Sequence, residues 1–287
     1  MTEIYQIAPQ SHTQMMGYVI KADDGRIAVI DGGTALDAPY LLALLHRVAG
    51  GVPYVDAWFL THAHSDHINA FLELQPVMGS LLAVGTVYHA FPTEAFIAQN
   101  EAGSQHTIRA YLHCARGMAA TEQVLQAGET IEMGSARFEV LYTADPAFTH
   151  NAINTSSTVL RLTADGVKVL FLGDLGIEGG EKLLAEYGDA LHSDLVQMAH
   201  HGQSGVALPV YQAVRPMMCL WCTPKWLWDN NQGERGYDSG PWTTLQVAAD
   251  MRALGVREHV IAKDGTYCIA LADGKARAEC IDPYAAL

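Results

Sequence analysis

The most constraining stretch of this chain is Thr61-His62-Ala63-His64-Ser65-Asp66-His67, where three histidines and a carboxylate fall within six residues. It follows residues 55–60 (VDAWFL), a short apolar strand, and precedes an apolar helix, Ile68–Leu74. In an extended turn, positions two apart point to the same side, so His62 and His64 face one direction together. Asp66 and His67, at the start of the helix, point from another. That separates two ligand pairs, as a two-cation site requires. Imidazole nitrogen and carboxylate oxygen are common zinc ligands, and a catalytic site leaves a position open for water. Two histidines alone would suit a polar surface turn; the full pattern between a strand and a helix is far more specific.

The rest of the chain reads as strands and helices without a low-complexity tract, a fixed-period repeat or a linker rich in Pro or Ser. One domain over residues 1–287 is therefore expected. Residues 17–21 and 26–31 read as strands around the turn Asp23-Asp24-Gly25. Residues 37–49 read as an amphipathic helix closed by Gly50-Gly51. Residues 93–126 look mainly helical. Strands return at 136–142, 157–163 and 167–172, the last two flanking the hairpin signal Ala164-Asp165-Gly166. A helix at 178–187, a strand at 194–198, a strand at 217–221 and a helix at 242–254 follow, then strands near 258–262, 266–271 and 276–281. Two similar halves of paired strands with interspersed helices point to sheets covered by helices.

Apolar residues make up 49% of the 287, enough for a large core. The formal net charge of −14 disfavours phosphate backbones and anionic membrane surfaces, so neither nucleic acid nor membrane is expected as a partner. MTEIYQIAPQ has no basic start and no apolar run, which argues against a signal peptide. Five cysteines, an odd number, suggest reduced thiols and a cytoplasmic location.

Further motifs follow in order: Ile30-Asp31-Gly32-Gly33, then Asn154-Thr155-Ser156-Ser157, then Phe171-Leu172-Gly173-Asp174, then Ala199-His200-His201-Gly202. With the histidine segment they resemble the metallo-β-lactamase fold superfamily over nearly the whole chain. The combination is most similar to the branch containing the ComEC-type competence domain and phosphorylcholine esterases. The resemblance implies an α/β (α+β) architecture, a four-layer αβ/βα sandwich with the metals at one edge of two sheets. It implies that His62 and His64 serve a first metal, that Asp66, His67 and His201 serve a second, and that Asp174 bridges them. The ions would be two divalent cations, zinc foremost, with Mn or Fe also suited to such ligands. Asp31, and with it Asn154, would stand behind the ligands rather than bind metal.

One departure from the family pattern matters. A further histidine is expected shortly before the strand that precedes the acidic ligand, where this chain has Ile153 or Asn154. His150 lies somewhat early; either its loop lets it reach the first metal, or that metal has a weaker site. His89 is a second candidate. His200 would face the substrate as an orienting or acid group, and Asp66 would both ligate and orient the nucleophile. Cys219-Leu220-Trp221-Cys222 is a lone pair of cysteines inside a strand and reads as core. Four of the five tryptophans fall in residues 221–242, in a long irregular loop. Trp226, Trp228 and Trp242 there are expected to line the metal mouth. The expected function is a binuclear metallohydrolase in which a bridging hydroxide attacks a small phosphoester or related ester. The alternative is a weakly catalytic or non-catalytic metal- and ligand-binding sensor of the same fold. The partner is expected to be a small-molecule substrate, and a homo-oligomer stays open.

Overall fold

Strands whose side chains are apolar on both faces need cover on both faces, and here they get it. The computed structural model describes residues 1–283. In chain order the first part comprises β1 (Thr2–Gln6), β2 (Gly17–Lys21), β3 (Ile27–Asp31), α1 (Ala38–Ala49), β4 (Tyr54–Leu60) and α2 (Ser65–Leu74). Next come β5 (Ala83–His89), α3 (Glu94–Asn100), α4 (Gln105–Ala115) and β6 (Thr121–Val124). The second part comprises β7 (Thr130–Met133), β8 (Ala136–Tyr142), α5 (Ala152–Thr155), β9 (Val159–Ala164), β10 (Val167–Phe171) and α6 (Ile177–Tyr187). It continues through β11 (Leu195–Gln197), the turn α7 (Ala199–Gly202), α8 (Leu208–Val214), β12 (Met218–Trp221), α9 (Lys225–Trp228) and α10 (Thr244–Ala253). Strands β13 (Glu258–Ile261), β14 (Gly265–Ala272) and β15 (Lys275–Pro283) follow.

Eight strands form one sheet in the order β15-β14-β1-β2-β3-β4-β5-β6, and seven form the other in the order β13-β12-β11-β10-β9-β8-β7. Each sheet has an antiparallel half and a parallel half. The parallel runs are β3 to β6 in the first and β10 to β13 in the second. Alternation along β3 shows the layering. Ala28 and Ile30 join the cluster between the sheets, with Tyr18, Phe59, Phe138 and Phe171. Ile27 and Val29 pack under Leu41, Leu45 and Phe71 from α1 and α2. A third cluster lies between the outer face of the second sheet and α6, α8 and α10, around Leu183, Val210 and Met251. The result is the four-layer sandwich of helices, sheet, sheet and helices.

Two sequence expectations shift. Helix α2 begins at Ser65 rather than Ile68, so Asp66 and His67 occupy its first turn. Residues 121–124, expected within a helical stretch, form the exposed edge strand β6, paired in parallel with β5. Cys219 and Cys222 are buried in different core clusters, and no helix among the described residues is long and apolar enough to cross a membrane.

Candidate metal centre

The C-terminal ends of the parallel strands of both sheets meet at one edge, where open α/β sheets place ligands. Asp31 closes β3, the His62–His67 loop follows β4, Asp174 follows β10, and His201 follows β11. Asp31 is fully buried, with its backbone in the left-handed region at φ 56°. Its carboxylate accepts from Thr61 N and Thr61 Oγ1, each at 2.7 Å, and from His67 Nδ1 at 2.7 Å. Its carbonyl accepts from Trp58 Nε1 at 2.7 Å. One side chain thus ties the end of β4 to the first turn of α2.

Each histidine of the cluster has one ring nitrogen occupied by an oxygen behind it. The Thr61 hydroxyl gives its proton to Asp31, so its oxygen accepts from His62 Nδ1 at 3.1 Å, with Ser157 Oγ 3.2 Å away. His64 Nε2 donates to Glu101 Oε1 at 2.9 Å. His67 Nδ1 donates to Asp31, and His201 Nδ1 donates to the Cys222 carbonyl at 3.1 Å. Carboxylates and carbonyls only accept, which fixes the tautomers of His64, His67 and His201. The opposite nitrogens all turn inward. His62 Nε2 and His64 Nδ1 stand 3.1 Å apart. His67 Nε2 and His201 Nε2 stand 3.4 Å apart.

Asp174 lies at the middle. Its Oδ2 is 3.2 Å from His67 Nε2, 3.3 Å from His201 Nε2 and 3.8 Å from His62 Nε2. Asp66 Oδ2 approaches His201 Nε2 at 3.2 Å. Ligand atoms of Asp66, His67, Asp174 and His201 all lie within 4.8 Å of one another. Two observations show that these residues fit a cation. The Oδ1 atom of Asp174 is buried without a hydrogen-bond partner. The inward nitrogens of His62 and His64, both lone-pair acceptors when neutral, face each other with nothing to share. A buried acceptor in that state is costly unless a positive charge joins it.

The protonation equilibria follow the same geometry. Burial favours the neutral ring of His67, but Asp174 and Asp31 beside it outweigh burial and raise it well above the usual histidine range. Burial likewise opposes the His201 cation, yet Asp174 and Asp66 push it up to about 9. Burial works against ionising Asp174, and His201 and His67 overcome it, holding the carboxyl well below the usual range. His62 goes the other way, lowered by burial and by the charge on His67. Without a metal, the carboxylates of Asp31, Asp66 and Asp174 therefore favour the protonated rings of His67 and His201. A cation held by these residues would supply that positive charge in place of the protons.

The turn that delivers His201 is strained. His200, His201 and Gly202 all have positive φ, at 51°, 56° and 80°. Gly202 is required twice over, because a Cβ there would also stand 2.4 Å from the Trp221 ring. Gln197, at the end of β11, straps this turn to the Asp174 loop: its amide donates to the Gly173 and Met198 carbonyls and accepts from Leu172 N. His200 donates from Nδ1 to the Ser204 carbonyl at 3.2 Å. Its Nε2 accepts from Asn154 Nδ2 at 3.4 Å and lies 4.0 Å from Asp174 Oδ2.

The structure does not bring His150 into the cluster. It is exposed, and Asn151, left-handed at φ 47°, turns the chain there into α5, which presents the buried Asn154 inward instead. His89 is buried elsewhere, its Nε2 on Glu122 at 3.0 Å. Trp228 faces away from the mouth, edge-on to Trp221 at 5.1 Å in the outer core, because α9 turns it opposite to Trp226. Trp226 and Trp242 form a T-shaped pair at 4.8 Å, and Trp226 Nε1 donates to the His12 carbonyl. That segment continues to Met16, whose N–H donates to the Asp66 carbonyl. Sequence reasoning missed Glu101, Ser157 and Gln197. Ser157 had a signal in the Asn154–Ser157 motif, whereas Glu101 and Gln197 had none.

A family model described as the metallo-beta-lactamase superfamily matches residues 16–208. The chain is 39% identical over 64 residues to Competence protein ComA of Neisseria gonorrhoeae, covering 22% of this chain and 9% of that protein. It is 27% identical over 162 residues to ComE operon protein 3 of Bacillus subtilis (strain 168), covering 55% of this chain and 18% of that protein. The chain therefore spans less than a fifth of either relative's length. Among solved structures, the metallo-beta-lactamase fold protein YhfI of Bacillus subtilis superposes with a TM-score of 0.55 at 16% identity, covering 93% of this chain and 99% of that one. Zinc-bound PqqB of Methylobacterium extorquens gives 0.53 at 13% identity, with the same coverages of 93% and 99%. At these identities the superpositions speak for the fold.

Proposed function

The chain belongs to the metallo-beta-lactamase superfamily, and from that premise we propose that it is a metal-dependent hydrolase of a small phosphoester or related ester. One observation carries the reading: the inward nitrogens of His62, His67 and His201 converge on Asp174, that of His64 stands beside His62 Nε2, and each opposite nitrogen is held by an oxygen. That is the arrangement by which proteins orient imidazoles for a metal. In this reading Asp66, His67 and His201 hold one cation, His62 and His64 hold another, and Asp174 serves both. Divalent cations there, zinc foremost, would supply Lewis acidity and make water acidic enough to ionise near neutral pH.

The protein's own residues account for the rest. Asp66 and Asp174 supply the anionic charge that the cations neutralise. Asp66 also orients the attacking oxygen. His200 donates from Nδ1 to the Ser204 carbonyl and accepts from Asn154 at Nε2, which holds that nitrogen beside Asp174 to orient the substrate. Asn154 aligns that ring. The Trp226–Trp242 pair forms an apolar wall for the substrate's organic part. With His150 outside the cluster, the His62–His64 pair has no third histidine, so the two cations bind with unequal affinity.

The test combines metal analysis with turnover of nitrophenyl phosphodiesters, phosphomonoesters and carboxylic esters in Zn, Mn and Fe. Wild-type protein should take up two equivalents in separate steps and turn over one of these classes only with metal. Asp174→Ala and His201→Ala should lose metal and at least about 1,000-fold in turnover while keeping a native circular dichroism spectrum. Full metal content in both variants, or turnover indifferent to chelation, would overturn the reading.

A further inference from the structure

We propose that Glu101 is a positioning residue for the first cation, holding the ring of His64 so that its Nδ1 stays aimed beside His62 Nε2; this rests on the metal reading above. His62, His67 and His201 are fully buried and held from behind by groups of their own core. His64 is different. Its side chain keeps 19% of its surface in solvent, and it precedes α2 on extended backbone. Packing therefore covers its ring less completely than those of the other three. The restraint comes from a distant element, the residue that ends α3.

Glu101 is itself held at both oxygens. Oε1 accepts from His64 Nε2 at 2.9 Å and from Ser104 Oγ at 3.4 Å, while Oε2 accepts from Ile153 N at 3.1 Å. Its backbone N–H closes α3 on the Ile97 carbonyl at 2.8 Å. The carboxylate thus joins three segments: the metal loop, the α3–α4 corner and α5. An anionic acceptor on the outer nitrogen fixes the tautomer and raises the basicity of the inner one, and removal of such groups typically weakens metal binding about 10- to 100-fold. Because Glu101 touches only His64 on the cluster, the loss should fall on one cation.

Two variants separate this role from simple support of α5. Glu101→Ala removes both contacts. Glu101→Gln keeps one acceptor oxygen, enough for His64 or Ile153 N but not both. In metal-free wild-type protein, nitrogen-15 ring correlation spectra should show a slowly exchanging Nε2–H signal that disappears in His64→Gln, which assigns it. The expected result is that Glu101→Ala abolishes this signal and weakens the looser metal equivalent about 10- to 100-fold, with the tighter one changed less than about 3-fold. In Glu101→Gln the signal and the affinity should be kept together or lost together, according to whether the amide oxygen stays on His64. Persistence of the signal in Glu101→Ala, equal weakening of both equivalents, or a Gln variant that keeps the signal yet loses the affinity as Ala does would each overturn the assignment. Wild-type protein that binds no cation would sink the metal reading, whereas two bound cations indifferent to Glu101→Ala would sink this inference alone.

Discussion

Asp31 shows how much a single buried carboxylate can organise. It accepts three hydrogen bonds, two from Thr61 and one from His67, and its left-handed backbone lets the chain leave β3 toward the metal edge. In Asp31→Asn, one oxygen can still accept from Thr61 N, but the amide NH2 then meets two donors, the Thr61 hydroxyl and His67 Nδ1–H. The variant should stay folded and bind metal about 10- to 100-fold more weakly, read by competition with a chromophoric chelator. Unchanged affinity would show that the loop holds its shape without Asp31. Such residues were legible because they belong to a local pattern: Asp31 at a strand end, His62 to His67 in one loop, Asp174 and His201 each just past a strand. Glu101 was not, since its meaning lies entirely in a partner 37 positions away. His150 misled for the reverse reason, being close in sequence but turned outward by the left-handed Asn151.

At the level of elements, β5, β6 and α4 are clasped by a second histidine that serves no metal. His89 Nε2 donates to Glu122 at 3.0 Å, Tyr111 donates to the same oxygen at 2.7 Å, and Phe91 N–H donates to His89 Nδ1 at 3.2 Å. Both ring nitrogens are in use only while the ring is neutral. Burial pushes His89 below its ordinary value of 6.5. Below about pH 6.5 the unfolded chain takes up a proton that the folded chain refuses, so this group's contribution is complete above that pH and declines as pH falls. Glu122 acts in the same sense: hydrogen bonds from Tyr111 and His89 hold its carboxyl below the usual range, and that contribution fades only in more acid solution. Wild-type protein should exceed His89→Gln by about 1–2 kcal/mol in denaturant unfolding at pH 8, and the gap should narrow toward pH 5.5. A gap independent of pH would mean that the ring acts by packing alone. The sequence hid these strands because β6 is exposed throughout and β5 carries Gly85, where a Cβ would stand 2.7 Å from the Tyr54 hydroxyl. The long alternating strands, and α1 with its apolar stripe and Gly50 stop, were plain because their burial follows their own periodicity.

For the whole molecule, the site is contributed by both sheets: Asp31 and the histidine loop from one, Asp174 and His201 from the other. A cation bound there links the two halves and binds only the folded state. At about 100 times its dissociation constant it should add roughly 2.7 kcal/mol, or about 4–5 °C in Tm. Thermal unfolding with zinc and after chelation checks this, and identical curves would show that no cation bridges the sheets.

The same architecture sets an order on assembly. Strand β1 lies between β2 and β14, with Thr2 opposite Leu271, so one neighbour of β1 follows at once and the other is remote in sequence. During synthesis, Ile4 and its flanking amides wait with one side bare until the β14–β15 hairpin emerges. Contacts at such separation form slowly. The first sheet can therefore seal around β1 only after the ribosome has passed Ala272, and a nascent chain stalled short of Gly265 would present a ready template for misplaced strand addition.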